Sequence, residues 1–575
     1  MSIVLKNRPS LKCYFPILTW GPQYTNNKFA DDTVAALIVA IMLIPQALAY
    51  SLLAGLPVET GLYASIIGLS VYAIFGTSNT LSVAPVAVIS LMTSAALAKL
   101  SLPNPEEMVT AALALTFLSG VFLLFLGLLR LGFMANFLSH PVISSFVTAS
   151  ALIIGFSQMQ HILGVSANGQ NFLELIVSLV REVPNTNLVT LALGVGSVVF
   201  LVFWKTMIKS RLLKLGLDSR IATTFSRAGP LLIALITGFL AYALRLDQQG
   251  IQLLGEVPQG LPVFGLPDMS IDLLSALMGS ALFISIIGFV ESISVAQTLA
   301  GRRRERVDLD QELVGLGTAN LASSFSGGFP ISGGFSRSVV NFEAGAATPA
   351  AGFFTAILIT IVALFFTPAL FWLPRVTLAA IIIVAIYGLI DFSVVRKAWK
   401  YSKADFAAVF ITLLLTLTVG VEAGIGAGVL ASILIHLYKT SQPHVAVIGR
   451  VKGTEHFRSV DLHTVETFEN QLSIRIDESL YFANTRYLEE LIFNLISHKP
   501  KLEHVILMCT AVNKIDMSAL ETLEKINQTL IESGIKLHLS EVKDPIMGKL
   551  AITDFFKSLS GNNYLSQNQA VEDLR

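Results

Sequence analysis

The chain has 575 residues, 53% of them hydrophobic and only 14% charged, with a mean hydropathy of +0.69. A soluble chain of this length does not carry such a composition, so the sequence reads as a polytopic α-helical membrane protein. Lys and Arg (39) balance Asp and Glu (39), which argues against a nucleic-acid partner, and the two cysteines, Cys13 and Cys509, imply no disulfide framework.

The first long apolar run, Thr33 to Leu53, follows a polar leader holding Lys6, Arg8, Lys12 and Lys28, and reads as a retained helix. Windows of about 20 apolar residues place membrane helices near 31–54, 59–77, 84–99, 106–129, 140–163, 188–205, 228–245, 272–298, 309–325, 334–345, 349–370, 373–391, 403–420 and 422–440, fourteen in all. Phe172 to Val183 has the pattern of an amphipathic helix in a loop. Apolar character stops near Tyr438, and from Gln442 the composition is that of a soluble domain. The expected divisions are a cytoplasmic N-terminal segment (1–30), a membrane domain (31–440), a small α/β domain (443–560) and a tail (561–575).

With an internal N-terminus, the loops assigned inside carry Arg130, then Lys205, Lys209, Arg211, Lys214, Arg220 and Arg227, then Arg302, Arg303, Arg304 and Arg306, then Arg396, Lys397, Lys400 and Lys403. The outer loops, Pro103 to Glu107 and Asp247 to Asp272, carry neither Lys nor Arg. By the positive-inside rule both termini lie in the cytoplasm, and the plasma (inner) membrane is the expected location.

Ala49 to Gly55 is matched 246 residues later by Val295 to Gly301. Each copy precedes a short helix, and seven helices per half is odd, so the second half enters upside down: a 7+7 inverted repeat. From Pro85 to Ala98 the apolar run is 14 residues, about 21 Å, and from Phe335 to Gly345 it is 11, about 16 Å. Neither crosses a hydrocarbon core of roughly 30 Å. Both helices therefore begin partway through the membrane behind extended backbone, Thr80 to Ala84 and Phe329 to Ser332, and their positive N-terminal ends frame one midplane site.

The second of these starts lies in Gly327-Gly328-Phe329-Pro330-Ile331-Ser332-Gly333-Gly334-Phe335-Ser336-Arg337-Ser338. Unpartnered first-turn N–H groups together with Arg337 attract an anion. Glu291 is the matching intramembrane carboxylate, suited to carry a proton or bind sodium. The alternative is that Glu291 and Arg337 neutralise each other as a buried pair. Glu343 reads as packing or interfacial, and Gly424, Gly426 and Gly428 as a close-packing helix face. Gly315 to Asn320 mimics a dinucleotide fingerprint without its last glycine or preceding strand, and the chain has no Walker loop, metal-ligand cluster or catalytic triad. No cofactor or metal is expected, and transport is driven by gradients, not by nucleotide hydrolysis.

Ile44-Pro45-Gln46-Ala47-Leu48-Ala49-Tyr50-Ser51-Leu52-Leu53-Ala54-Gly55-Leu56, then Gly61-Leu62-Tyr63, resembles the signature of the SulP (sulfate permease) family. Pro85 to Leu91, Glu312 to Asn320, Gly328-Phe329-Pro330 and Ser336 to Asn341 resemble its later motifs. The alternation of strands at 472–478, 505–509 and 535–540 with helices at 484–495 and 516–531 is similar to the STAS domain that follows the membrane part in this family. The resemblance implies core and gate subdomains, a homodimer, a cytoplasmic partner for the STAS domain, and a substrate site of Gln46, Tyr50, Pro85, Val86, Phe335, Ser336 and Arg337, with Glu291 as the coupling carboxylate. Two positions depart from the family: Ala84 replaces a frequent glycine, and Gly334 a frequent serine. In Ile515-Asp516-Met517-Ser518-Ala519, Ser518 aligns with the serine phosphorylated in related bacterial regulators, but Met517 and Ala519 break their Asp-Ser-Ser-Gly pattern. The expected function is secondary active transport of sulfate or a similar inorganic oxyanion, coupled to protons or sodium. Bicarbonate or a dicarboxylate is the rival substrate, and a regulatory membrane hub acting through the STAS domain is the rival class.

Overall fold

Local capping chemistry sets the ends of the helices. The computed structural model describes residues 14–575 except 101, 103, 134–138, 168, 170, 217–221, 223–224, 227, 263 and 498. Lys6, Arg8, Lys12, Cys13, Pro103, Arg220 and Arg227 lie outside the described residues. The chain divides into two compact units, one ending at Ser432 and one starting at Ile433.

The helices of more than one turn up to the unit boundary are α1 (Asn26–Leu53), α2 (Glu59–Phe75), α3 (Ala87–Ala98), α4 (Pro105–Leu128), α5 (His140–Leu163), α6 (Phe172–Glu182), α7 (Leu188–Lys214), α8 (Gly229–Leu244), α9 (Ile271–Arg303), α10 (Leu309–Ser324), α11 (Phe335–Glu343), α12 (Ala350–Phe365), α13 (Arg375–Ile386), α14 (Ser393–Tyr401), α15 (Lys403–Thr418) and α16 (Val421–Ser441), the last of which crosses the boundary. Apart from the amphipathic α6 and the short α14, these are the fourteen expected helices, and among the described residues seven spans are long and apolar enough to cross a membrane. Thr25, Ser139 and Asn187 cap α1, α5 and α7 by accepting amide hydrogens in the following turn. Gly164, at φ 69°, closes α5 in the left-handed region.

Several boundaries differ from the sequence reading: α1 opens at Asn26, inside the expected 1–30 segment, because Thr25 caps it there, α9 runs to Arg303 instead of 298, α12 stops at Phe365 instead of 370, and three more have a local cause. Helix α3 starts at Ala87, not 84, because Pro85 holds Ala84 extended. Helix α7 continues to Lys214, past the expected 205, and its basic residues complement the C-terminal dipole. Helix α13 stops at Ile386, followed by a 3-10 turn, Tyr387–Leu389, and then α14, whose basic residues had been assigned to a loop.

Glycines allow the closest helix contacts. A Cβ on Gly317 would lie 2.6 Å from the Leu124 nitrogen and one on Gly120 2.7 Å from the Leu321 nitrogen, so α4 and α10 meet backbone to backbone. Gly424 and Gly428 pack likewise on Thr416 and Thr412, where a Cβ would meet Oγ1 at 1.9 and 2.1 Å. The apolar interior forms two main clusters, one on α3, α4, α9 and α10 and the other on α1, α5, α12 and α13.

The second unit carries a six-stranded sheet in the order β4-β3-β5-β6-β7-β8. Its strands are β3 (Val445–Arg450), β4 (Phe457–Ser459), β5 (Gln471–Ile476), β6 (His504–Met508), β7 (Lys536–Ser540) and β8 (Asn563–Tyr564). Strands β5 to β8 pair in parallel, and β3 runs antiparallel to β4 and β5. Helices α17 (Thr485–Ser497), α18 (Met517–Glu532), α19 (Asp544–Leu550), α20 (Asp554–Lys557) and α21 (Gln567–Asp573) complete it. Residues 561–575, expected as a tail, are part of this fold: Asn563 pairs with Leu539, Ala570 and Val571 are buried, and Gln567 accepts from Ser540 Oγ at 2.5 Å and donates to Ser473 Oγ at 2.9 Å. Few apolar positions lie in an otherwise polar stretch, so a composition window misses them.

Candidate functional site

The two extended segments expected before the short helices meet each other. β1 (Val83–Ala84) and β2 (Ser332–Gly333) form an antiparallel pair with Val83 opposite Gly333 and Ala84 opposite Ser332. Such backbone survives inside a membrane protein only if its polar groups are bonded within the protein. The Gly334 amide donates to Ser82 O at 3.1 Å, the Ser82 amide to Ser338 Oγ at 2.9 Å, and Asn341 Nδ2 to Thr80 O at 3.1 Å. Asn320 acts as a stand-in strand: its Oδ1 accepts from the Ile331 amide at 2.9 Å and its Nδ2 donates to Ile331 O at 3.0 Å. From α9, Ser292 Oγ accepts from the Gly333 amide at 2.8 Å.

Arg337, only 2% exposed, sits in the first turn of α11. Its Nη1 donates to Pro85 O at 2.8 Å and its Nη2 to Ala84 O at 3.1 Å, while Nε is buried without a partner. The guanidinium thus ties the start of α11 to the turn into α3 and holds a positive charge between the two helix starts. Gly334 is part of this arrangement. A Cβ there would lie 2.7 Å from Nη2 and 2.9 Å from Cζ, so the frequent family serine is replaced by a residue that leaves room for the guanidinium.

Beside this frame lies a cavity of about 430 Å³, walled by α1, α7, α8, α11 and α13. Of the seven expected substrate residues, Gln46, Phe335 and Ser336 line it. Phe335 is 51% exposed, and Gln46 is buried. Arg337, Pro85, Val86 and Tyr50 stand behind the lining: Pro85 accepts from Arg337, Val86 is the N-cap residue of α3, and Tyr50 is buried within electrostatic reach of Arg337 and Glu291. Lys205 and Lys209 also line the cavity. The sequence signal was present, four residues apart on one helix, but both lysines had been read only as topology markers.

Among the described residues, the carboxylates of Glu312, Asp32 and Glu291 differ in what their oxygens do. Glu312 accepts from Tyr72 Oη at 2.7 Å, the Thr77 amide at 2.7 Å, Thr77 Oγ1 at 2.5 Å and the Ser78 amide at 3.1 Å. Asp32 accepts from the Ala347 amide at 2.6 Å, the Thr348 amide at 3.1 Å, Thr348 Oγ1 at 2.6 Å and Tyr24 Oη at 3.1 Å. Both are hydrogen-bonded at each carboxylate oxygen and act as structural anchors that sequence reasoning missed, because an acidic residue near a helix start looks like ordinary capping. Glu291 is the exception: its Oε2 is sealed from solvent and has no hydrogen-bond partner. The two hydrogen bonds from the Arg337 Nη atoms go to Pro85 and Ala84, not to Glu291.

In the second unit, Asp516 caps α18, accepting from the Ala519 amide at 2.9 Å and the Phe482 amide at 3.0 Å. Ser518 is exposed in the first turn that follows. Burial pushes the Cys509 thiol up to about 12, leaving it unreactive. A feature not foreseen is the pairing of His504 Nδ1 with His538 Nε2 at 3.1 Å, while His538 Nδ1 accepts from the Asn562 amide at 3.0 Å. Burial first, then the neighbouring His504, lowers His538 to about 4.

Comparison with known proteins follows the same two-part division. The pattern of the sulfate permease family matches residues 29–412, and that of the STAS domain residues 463–570. The chain is 35% identical over 539 residues to the protein named sulfate transporter 4.1, chloroplastic, of Arabidopsis thaliana, covering 92% of this chain and 77% of that protein. Among solved structures, SLC26A9 superposes with a TM-score of 0.90 at 22% identity, covering 98% of this chain and 93% of that one. The transmembrane domain of a cyanobacterium bicarbonate transporter, BicA, gives 0.60 at 23% identity, covering 70% of this chain and 98% of that one. A multi-pass helical unit with two short helices whose preceding strands pair, followed in order by a STAS domain and matched along most of its length, places this chain in the sulfate permease family.

Proposed function

We propose that the protein is a secondary transporter that takes up sulfate or a similar inorganic oxyanion, driven by a proton or sodium gradient. The observation that carries this is the cavity lined by Gln46, Phe335 and Ser336, the last two being the first residues of α11, where helix amides have no intrahelical partner and the dipole is positive. Lys205 and Lys209 on its wall favour an anionic occupant. Arg337 acts from behind the lining by fixing the two helix starts and adding charge. Glu291 is the cation-coupling residue: among the oxygens of the three acidic groups above, its Oε2 is the one that is buried with no hydrogen-bond partner among the described residues. A dianion entering against a negative-inside potential works against about 2.3 kcal/mol per charge per 100 mV, so the cations that enter with it must outweigh its charge. Ser518 is assigned a regulatory role, and the functional unit is a homodimer.

The test is uptake of labelled sulfate into proteoliposomes under imposed proton or sodium gradients, with bicarbonate, succinate and chloride as competitors. Sulfate uptake that follows one gradient and resists the competitors supports the reading. Strong inhibition by bicarbonate or succinate would transfer the substrate assignment to that anion, and absence of uptake of any of them would remove the transporter reading.

A further inference from the structure

On the side of α1 away from Gln46 lies a second cavity, of about 320 Å³, and its lining is apolar apart from one phenol and one indole. Leu231, Ala234, Leu235, Gly238, Phe239 and Tyr242 supply one stripe of α8, Pro45 and Leu48 of α1 form its back, and Trp372 closes one end. Leu235, Phe239 and Tyr242 are 59%, 69% and 55% exposed, so the stripe opens to the surroundings of the membrane unit. From Leu231 to Tyr242 the groove runs about 16 Å along the helix, half of a hydrocarbon core of roughly 30 Å and therefore the depth of one leaflet.

The closed end carries a charge. Arg245, directly after α8, lies over the Trp372 ring at 5.2 Å and the Tyr242 ring at 5.9 Å. It is exposed, and among the described residues no carboxylate pairs with it. Tyr and Trp gathered at one end of an apolar stripe mark the level of the headgroups, and an unneutralised guanidinium at that level fits a phosphate.

We propose that this groove binds one anionic phospholipid, its acyl chain lying between α8 and α1 against Pro45 and Leu48 and its headgroup phosphate on Arg245. Pro45 and Gln46 are adjacent in α1, so the lipid and the transported anion occupy opposite sides of one helical turn. Proline removes a backbone hydrogen bond there, which leaves this turn the easiest part of α1 to bend, and an acyl chain against Pro45 supports it from behind.

Thermal unfolding of the purified, delipidated full chain in detergent tests this. Titration with phosphatidylglycerol stabilises the wild type, phosphatidylcholine with the same chains does so less, and glycerol 3-phosphate alone does nothing. Arg245→Gln raises the half-maximal phosphatidylglycerol concentration about fivefold, the factor expected for one cation near an anionic headgroup. Arg245→Lys retains the response, and Ala234→Phe, which fills the groove, removes it while leaving Arg245 in place. Equal stabilisation by phosphatidylcholine, an unchanged titration in Arg245→Gln and Ala234→Phe, or a change of oligomeric state in those variants in place of a lipid response would overturn the proposal. Because the readout is unfolding, the outcome is independent of whether sulfate is transported.

Discussion

Arg337 donates to the carbonyl of Pro85 at 2.8 Å, across 252 positions of sequence, and so joins the two helix starts that frame the cavity. Arg337→Ala leaves the Pro85 and Ala84 carbonyls unbonded in a buried place. Loss of two hydrogen bonds from a charged donor is expected to lower stability by about 3 kcal/mol or more and to abolish saturable uptake. Thermal unfolding and uptake measured on the same reconstituted preparation check both, and unchanged anion affinity in the variant would contradict the role.

Gly334 offers a milder perturbation of the same frame. Its φ of −86° suits any residue, so Gly334→Ala carries no backbone strain, but the new Cβ has to push the guanidinium aside. A displacement of this size near a binding site is expected to raise KM for the transported anion by about tenfold to a hundredfold. Uptake kinetics across substrate concentration would show it, and a KM equal to wild type would mean that the guanidinium position is not critical.

Glu291→Gln keeps the size of the side chain and removes its ability to take a proton or balance sodium. Accumulation against a gradient is expected to disappear while exchange of anion across the membrane persists. Preloaded proteoliposomes separate the two modes. Wild-type concentrative uptake in this variant would falsify the coupling assignment, and loss of folding would point to a structural role.

The histidine pair in the STAS domain sets a pH dependence. The Asn562 amide can only donate, so His538 carries its proton on Nε2 and offers it to His504 Nδ1. Any further proton on His538 breaks the bond that holds the strand after Gly561. His538 falls from an ordinary 6.5 to about 4 in the fold. The unfolded chain therefore binds more protons between those values, and the stabilisation present above pH 6.5 is lost as pH drops toward 4. Hydrogen exchange on the full chain at pH 7 and pH 5 should show residues 561–575 losing protection first, and His538→Gln should flatten that dependence.

Removal of the chain after Ser441 is expected to weaken the dimer in detergent and reduce expression. Light scattering of the truncated and full-length proteins measures the first, and a truncated protein that stays wholly dimeric would move the interface into the membrane unit.

Much of the membrane unit could be read from the sequence because hydrophobic length and glycine or proline punctuation are local. Pro85 and the glycine-rich run before Phe335 announced two short helices that start behind extended backbone, and the structure pairs those two extended segments. What escaped the reading depends on partners far along the chain. Asp32 is satisfied by Ala347 and Thr348, and Glu312 by Tyr72, Thr77 and Ser78. Nothing beside either acid in sequence shows that it is buried. Lys205 and Lys209 were visible as charges, but their place on the cavity wall depends on how α7 packs against α13. The last strand and helix of the STAS domain rest on a few apolar residues and on Gln567, too sparse a pattern to register.

The pairing of Val83 with Gly333 has a consequence for biogenesis. The ladder partners of Val83 and Ala84, and the guanidinium on the Ala84 and Pro85 carbonyls, come from residues more than 200 positions later, so a chain still emerging from the ribosome holds Gln46, Tyr50 and Pro85 without them. Closing so long a loop is slow, and the order of synthesis fixes when it can begin. Until the segment through Ser338 has been made, the strand at Val83 lacks its ladder partners, and a nascent chain stalled before Gly327 is expected to leave those backbone groups unpaired.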